Sequence, residues 1–314
     1  MQHDANHVKY RQLIAAAQAT RRLATAVVHP CDAVSLEAAV EAAGMGLIEP
    51  ILVGPRAKIA AAATAAGLDI APFRLEDTPH SHAAADRAVA LVLAGEADAL
   101  MKGSLHTDEL MSAVVAATGG LRTARRVSHC FLMDVPGHDE PLIITDAAIN
   151  IAPDLAAKAD IVQNAIDLAH ALHFPEVRVA ILSAMETINP KVPSTIEAAA
   201  LCKMADRGQI TGALIDGPLA LDNAVDLGAA ALKHIVSPVA GRANVLVVPD
   251  LEAGNMLAKS LSFLAGADAA GIVLGARVPI ILTSRADSRL TRLASCAVAC
   301  MLAEARRKTA AVPA

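Results

Sequence analysis

Aromatic side chains are nearly missing from this chain: of 314 residues four are Phe, one is Tyr and none is Trp. With a formal net charge of -5 as well, it has neither the stacking platforms nor the basic footprint of a nucleic-acid binder. Apolar runs of the roughly 18–20 residues that a membrane span needs are also missing, because Asp, Arg, Lys or Pro breaks each one. The five cysteines (Cys31, Cys130, Cys202, Cys296, Cys300) are odd in number and form no CxxC pair. That suits a reducing compartment, with the thiols acting as small buried hydrophobes. The opening MQHDANHVKYRQ has no charged region followed by an apolar one, so the expected location is the cytoplasm. There is no GxxxxGK[ST] loop, no complete GxGxxG after a strand, no HExxH and no GxSxG elbow. Kinase-type, classical nicotinamide, zinc-protease and serine-hydrolase chemistries lose their usual signatures. His3 and His7 have metal-compatible helical spacing but lie in a terminal stretch that favours solvent exposure, so no metal site is expected.

What the chain does contain is aliphatic. Hydrophobic residues make up 54% and charged residues 19%, enough to bury a large core in one or two domains. Apolar runs at 25–30, 49–54, 97–103, 126–135, 141–147, 177–184, 210–217, 243–250, 268–275 and 278–284 read as strands. Helical patterns lie between most of them, at 8–24, 33–43, 55–66, 80–95, 107–118, 154–172, 193–207, 252–264 and 287–307, some opened by cap residues such as Asp154 or Ser194. That alternation predicts an α/β fold with largely parallel sheets. Two junctions lack a helix: PGHDEP between the fourth and fifth strands, and the stretch 273–284. A hairpin or a crossing between lobes is expected at each. We therefore expect a discontinuous first lobe, 1–138 plus 286–314, and a second lobe, 139–285.

Ligands of open α/β sheets bind beyond the carboxyl ends of strands, so polar residues after apolar runs are the places to search. In MKGSLHTDEL, Lys102 and the loop Gly103-Ser104-Leu105-His106-Thr107 lead directly into a helix. This pattern serves as an anion cradle or as an ordinary capped loop. Asp146 and Asn150 follow the strand in IITDAAIN, where turn chemistry is the alternative. Ser183, Glu186 and Lys191 occupy the next long loop, and Asp216, Gly217, Asp222 and Asn223 follow the strand after it. Asp250, Gly254 and Asn255 lie between a strand and a helix in VPDLEAGNMLAK. In IILTSRADSRL, Ser284, Arg285 and Asp287 offer a hydrogen-bond donor, a fixed cation and a base within four positions, although a capped helix flanked by charge has the same spacing.

Taken in order and spacing, GLIEPILVG, MKGSLHTDEL, ITDAAINIAPD, NPKVPSTIEAAAL, VPDLEAGNMLAK and VPIILTSRADS resemble the phosphate acetyltransferase/phosphate butyryltransferase family over nearly the whole chain. The likeness is strongest to the transferase part of bifunctional enoyl-CoA hydratase/phosphate acetyltransferases. It implies a two-lobed α/β/α fold similar to isocitrate and isopropylmalate dehydrogenases, a homodimer, and an active site in the interlobe cleft. The implied reaction is acyl-CoA plus phosphate giving acyl phosphate plus CoA, with direct thiolate attack in a ternary complex and coenzyme A as a substrate rather than a resident cofactor. Acyl phosphate, phosphate and CoA are the implied partners, without nucleic acid or membrane.

The resemblance implies catalytic roles for Ser284 and Arg285, which would hold the thiolate, the phosphate or the developing oxyanion. Asp287 is the best local match for the base and Asp146 the reserve, because Thr291 stands where acetyltransferases carry their catalytic aspartate. Lys102, Gly103, Ser104, His106, Thr107, Asp146, Asn150, Asp250, Gly254 and Asn255 are the implied substrate-positioning set. Arg122, Arg125 and Arg126 form a basic cluster that suits either a CoA phosphate or solvent. Two other readings are carried forward: a dehydrogenase of the same fold, for which the aspartates are too scattered, and a CoA-binding subunit with weak or no turnover.

Overall fold

Apolar runs rich in Val, Ile and Leu become strands, and the alanine-rich stretches between them become helices, in a computed structural model that describes residues 8–283 and 287–311. In chain order the elements are α1 (Val8–Gln18), β1 (Leu23–Val28), α2 (Ala33–Gly44), β2 (Ile48–Gly54), α3 (Arg56–Ala66), β3 (Arg74–Asp77), α4 (Ser81–Leu93), β4 (Ala99–Lys102), α5 (Thr107–Val114), β5 (Ser128–Asp134) and β6 (Leu142–Thr145). There follow α6 (Leu155–Ala171), β7 (Arg178–Leu182), α7 (Pro193–Asp206), β8 (Leu214–Leu219), α8 (Leu221–Val225), α9 (Leu227–Leu232), β9 (Val245–Val247), α10 (Leu251–Leu264), β10 (Asp268–Leu274), β11 (Ile280–Ile281) and α11 (Arg289–Ala311). Caps explain several starts. Asp32, Asp154 and Asp250 each accept a backbone N–H three residues on, from Ser35, Ala157 and Ala253, at 2.8 Å.

Some elements differ from the expectation for physical reasons. The pattern at 8–24 divides, because α1 stops at Gln18 and Leu23 already begins β1. The strand expected over 210–217 starts only at Leu214, since Gly212 is left-handed at φ +91° and the Gln163 side chain pins both the N–H and the C=O of Thr211. The short strand β3 has no apolar run to betray it. It is an edge strand of sequence RLED whose Arg74 is paired with Glu76 at 2.7 Å and Glu96 at 2.6 Å.

By its contacts the chain divides into two compact units, one running to Val127 and resuming at Ala270, the other spanning Ser128–Ala269. These divisions fall earlier than the junctions 138/139 and 285/286 named above. β5 pairs antiparallel with β6 as one hairpin inside the second unit, and the paired residues of β10 and β11 lie together in the first.

In the first unit the strand order is β3-β2-β1-β4-β11-β10, parallel except for β10. Successive strands run outward from β1 through β2 to β3, then return to β4 on its other side. That reversal places a topological switch point between the carboxyl ends of β1 and β4. The central strands β1 and β4 are almost wholly buried, as parallel strands covered on both faces are. Ala270 and Gly271 in β10 donate to Tyr10 Oη at 2.8 Å and Ser295 Oγ at 3.1 Å, tying β10 to α1 and α11.

In the second unit the order is β5-β6-β9-β7-β8, with β9 inserted between β6 and β7. Met133, Leu142, Ile144, Leu182, Leu219, Val239, Leu246 and Val248 form its core. The insertion of β9 puts the residues after β6 beside those after β9, and Val248 N–H donates to the Thr145 carbonyl at 2.9 Å. Among the described residues no helix is long and apolar enough to cross a membrane, and no cluster of His, Cys, Asp and Glu suits a metal ion.

Candidate active site

At the switch point of the first unit the tips of β1 and β4 are joined closely. Gly103 N–H donates to the Val28 carbonyl at 2.9 Å, and Ser104 N–H to the His29 carbonyl at 3.0 Å. A Cβ on Gly103 would lie 2.3 Å from Val28 O and 2.7 Å from His29 O, so only glycine permits the approach. His29 itself is left-handed at φ +54°. Ser104 Oγ lies 2.8 Å from the His29 carbonyl, 3.1 Å from His29 Nδ1 and 3.3 Å from the Cys31 N–H. Burial and the charge of Lys58 push the His29 imidazole below its ordinary pKa of 6.5, against the opposing pull of Glu109 and Asp32.

Lys102 Nζ reaches the Gly103 carbonyl at 3.4 Å. His106 is exposed and, with Thr107, opens α5. Glu109, in the first turn, is held below the usual carboxylate range by Ser81, the His106 N–H and the nearby His82 and His106. It thereby ties the starts of α4 and α5 together.

The second unit gathers Asp146, Asn150, Asp250, Gly254 and Asn255. Asp146 is buried, and its Oδ1 accepts from the N–H groups of Ala148 at 2.9 Å and Ile149 at 3.0 Å. Its Oδ2 accepts from Asn150 N at 3.2 Å and Asn150 Nδ2 at 2.6 Å. Four donors therefore converge on one carboxylate, which organises the loop after β6. Asn255 Nδ2 donates to the Ala147 carbonyl at 3.2 Å, and a Cβ on Gly254 would lie 2.9 Å from Asp146 O, so α10 packs directly on that loop. Asp250 caps α10. Beside Asp146, burial pushes the His129 imidazole down to about 4, so it is neutral near pH 7, and its Nδ1 has no hydrogen bond among the described residues.

The structure thus brings the Lys102–Thr107 group together on one unit and the Asp146, Asn150, Asp250, Gly254 and Asn255 group on the other. Ser284 and Arg285 lie outside the described residues. Asp287 is half-buried, and its carbonyl accepts from Arg292 Nη1 at 2.8 Å. Thr291, at the position where an aspartate was expected, is buried in the first turn of α11. Its N–H donates to Ser288 Oγ at 3.1 Å, the usual geometry of a helix cap.

In the other loops Ser183 and Ser194 share a hydroxyl contact at 2.8 Å, and Glu186 pairs with Lys233 at 3.1 Å. Of the cysteines, Cys130, Cys296 and Cys300 are buried, whereas Cys31 and Cys202 are only partly so, a departure from the uniform burial expected. Burial pushes the Cys130, Cys202 and Cys300 thiols up to about 12, leaving no reactive thiolate among them. The residue that the sequence reading passed over is His29. Its signal was present as the first polar residue after TAVV, at a strand tip like the others.

A two-unit, mostly parallel α/β chain with loop-bound polar residues at a switch point defines the class of small-ligand α/β enzymes. The family model described as Phosphate acetyl/butaryl transferase matches residues 80–300. The chain is 66% identical over 306 residues to a phosphate acetyltransferase of Rhizobium meliloti, covering 98% of this chain and 96% of that protein. It is 40% identical over 283 residues to a phosphate butyryltransferase of Clostridium acetobutylicum, covering 90% and 93%. A crystal structure of a branched-chain phosphotransacylase from Enterococcus faecalis V583 superposes with a TM-score of 0.78 at 29% identity, covering 90% of this chain and 99% of that one. The chain belongs to the phosphate acetyl/butyryl transferase family.

Proposed function

We propose that the chain is a phosphate acyltransferase that moves an acyl group reversibly between coenzyme A and inorganic phosphate. The observation that carries the reading is its 66% identity, over nearly its full length, to a phosphate acetyltransferase. The lower identity to the butyryltransferase supports acetyl as the acyl group. Chain length in such a pocket is decided by small margins, about 1–3 kcal/mol per methylene.

The chemistry needs a deprotonated thiol, an anchored phosphate and a stabilised tetrahedral oxyanion. In this reading Arg285 binds two oxygens of the phosphate or the oxyanion with its planar fork, and Ser284 donates a hydrogen bond beside it. Asp287 follows that pair as the neighbouring carboxylate. Lys102, Gly103, Ser104, His106 and Thr107 position substrate on the first unit. Asp250, Gly254 and Asn255 position substrate on the second, on the loop that Asp146 and Asn150 shape. No resident cofactor or metal is assigned, and we take the protein to act in the cytoplasm as a homodimer. Met256, Phe263 and Leu264 are exposed along α10 and support a self-association surface, which sedimentation will test.

Thiol release from acetyl-, propionyl- and butyryl-CoA, followed with and without phosphate, tests the reading. Phosphate-dependent release that is fastest with acetyl-CoA and collapses in Arg285→Ala is the expected result. CoA binding without any release, or release indifferent to Arg285→Ala, would reject acyl transfer and leave a binding subunit.

A further inference from the structure

The tip of β1 carries a histidine whose protonation pattern can be deduced from its neighbours. Ser104 Oγ stands 2.8 Å from the His29 carbonyl oxygen. Two oxygens at that separation need a proton between them, and the hydroxyl is the only group of the two that has one. Ser104 therefore donates to the carbonyl. In two further contacts, with Cys31 N–H at 3.3 Å and His29 Nδ1 at 3.1 Å, Oγ accepts.

The imidazole is thus the tautomer protonated on Nδ1. Its Nε2 keeps a bare lone pair and makes no hydrogen bond among the described residues. The ring is held by a left-handed backbone at φ +54° and by the His29 N–H donating to Val53 O at 2.7 Å. The charged groups facing it are Lys58 from α3, Glu109 from α5 and Asp32 at the start of α2, with burial and Lys58 favouring the neutral ring. β1 and β4 are adjacent and parallel, so His29 and Lys102 emerge at the same end of the sheet. Adjacent strands stand about 4.8 Å apart, which brings these tips within the span of one bound substrate.

From this arrangement we infer that His29, oriented by Ser104, is the general base that removes the proton of the CoA thiol, an inference that rests on the acyl-transfer reading above. In the direction of acyl-CoA synthesis the Nε2 lone pair takes the S–H proton. The sulfur electron pair forms the bond to the acyl carbon, the carbon–oxygen bond to phosphate breaks, and the imidazolium returns its proton to the departing phosphate. The reverse reaction runs through the same atoms, with protonated His29 delivering the proton to the leaving thiolate. Ser104 is a positioning residue, fixing which nitrogen is basic.

The test measures acyl phosphate plus CoA turnover against pH for the wild type, His29→Asn and His29→Gly, both substituents being compatible with the left-handed backbone. The wild type is assayed first, since failure of its phosphate-dependent reaction rejects the acyl-transfer reading itself. With that reaction in place, His29→Asn is expected to lose about 10²–10⁴-fold in kcat with little change in the KM for CoA. The rise of rate with pH seen in the wild type should vanish with it, and added imidazole should restore part of the His29→Gly rate. Wild-type kcat in His29→Asn would overturn the proposal. So would a loss of kcat that keeps the wild-type pH dependence and resists imidazole, or a pH dependence abolished by Asp287→Asn in place of the His29 variants. Thermal melting of the same samples separates these results from unfolding.

Discussion

Replacing Gly103 by alanine tests the joint between β1 and β4 most directly. The added Cβ would sit 2.3 Å from Val28 O, 2.7 Å from His29 O and 2.8 Å from His29 C. All three are backbone atoms at the carboxyl end of β1 and the residue after it, so no side chain can swing aside and the two tips must part. Overpacking of this kind costs about 1–3 kcal/mol. Parting also lengthens the bonds from Gly103 N to Val28 O (2.9 Å) and from Ser104 N to His29 O (3.0 Å), each worth about 1 kcal/mol. The expected loss is about 3 kcal/mol, seen as a fall in Tm of roughly 6–12 °C for a unit of this size. Displacing the loop by about 1 Å should also lower phosphate-dependent thiol release by about 100-fold. Gly44→Ala is the matched control, since nothing lies within 4 Å of its Cβ and the position is helical. It should be neutral or slightly stabilising. Gly103→Ala that melts and turns over like the Gly44→Ala control would refute the steric argument.

Other perturbations follow from the same geometry. Asp146→Ala removes the acceptor for four converging donors and should cost about 2–4 kcal/mol in urea unfolding; a loss below 1 kcal/mol would mean that water replaces it. The buried Lys158 is ion-paired with the half-buried Glu197, so Glu197→Ala should destabilise by about 3–5 kcal/mol, while the Lys158→Met/Glu197→Leu double variant should cost clearly less. A double variant as unstable as the single would show that packing, and not an unpaired charge, sets the cost. The His129 imidazole is held neutral, with its pKa lowered from 6.5 to about 4. The unfolded chain therefore takes up a proton before the folded one does, and stability that is complete above pH 6.5 is lost as pH falls toward 4. The loss reaches about 3 kcal/mol. His129→Gln should flatten that slope in pH-dependent denaturation, and an unchanged slope would assign it to other groups.

Much of this protein is legible along the chain. The aliphatic runs of β1, β2, β4, β6, β7 and β9 and the helices between them follow from period and propensity, which are local properties. So do the caps at Asp32, Asp154 and Asp250, because a cap and its acceptor lie within three residues. The family resemblance is local in the same sense, carried by short strand-tip segments.

Other features have no local signal. β3 is held by charge pairs and by a neighbouring strand rather than by apolar residues, and a five-residue helix such as α8 is too short to show a period. Asp146 looked like a possible base because a carboxylate after a strand is one by type; only the folded loop reveals that both its oxygens are committed to N–H groups. Gly103 reads in sequence as one member of an anion-cradle loop, and its steric role emerges only once β1 and β4, separated by some seventy residues, meet. The basic nitrogen of His29 likewise depends on Ser104, 75 positions away. Sequence determined most of the strands and helices and the family they compose. Tertiary structure alone decided which polar groups are already spent on holding loops and which are left to do chemistry, because hydrogen-bond partners are chosen in space.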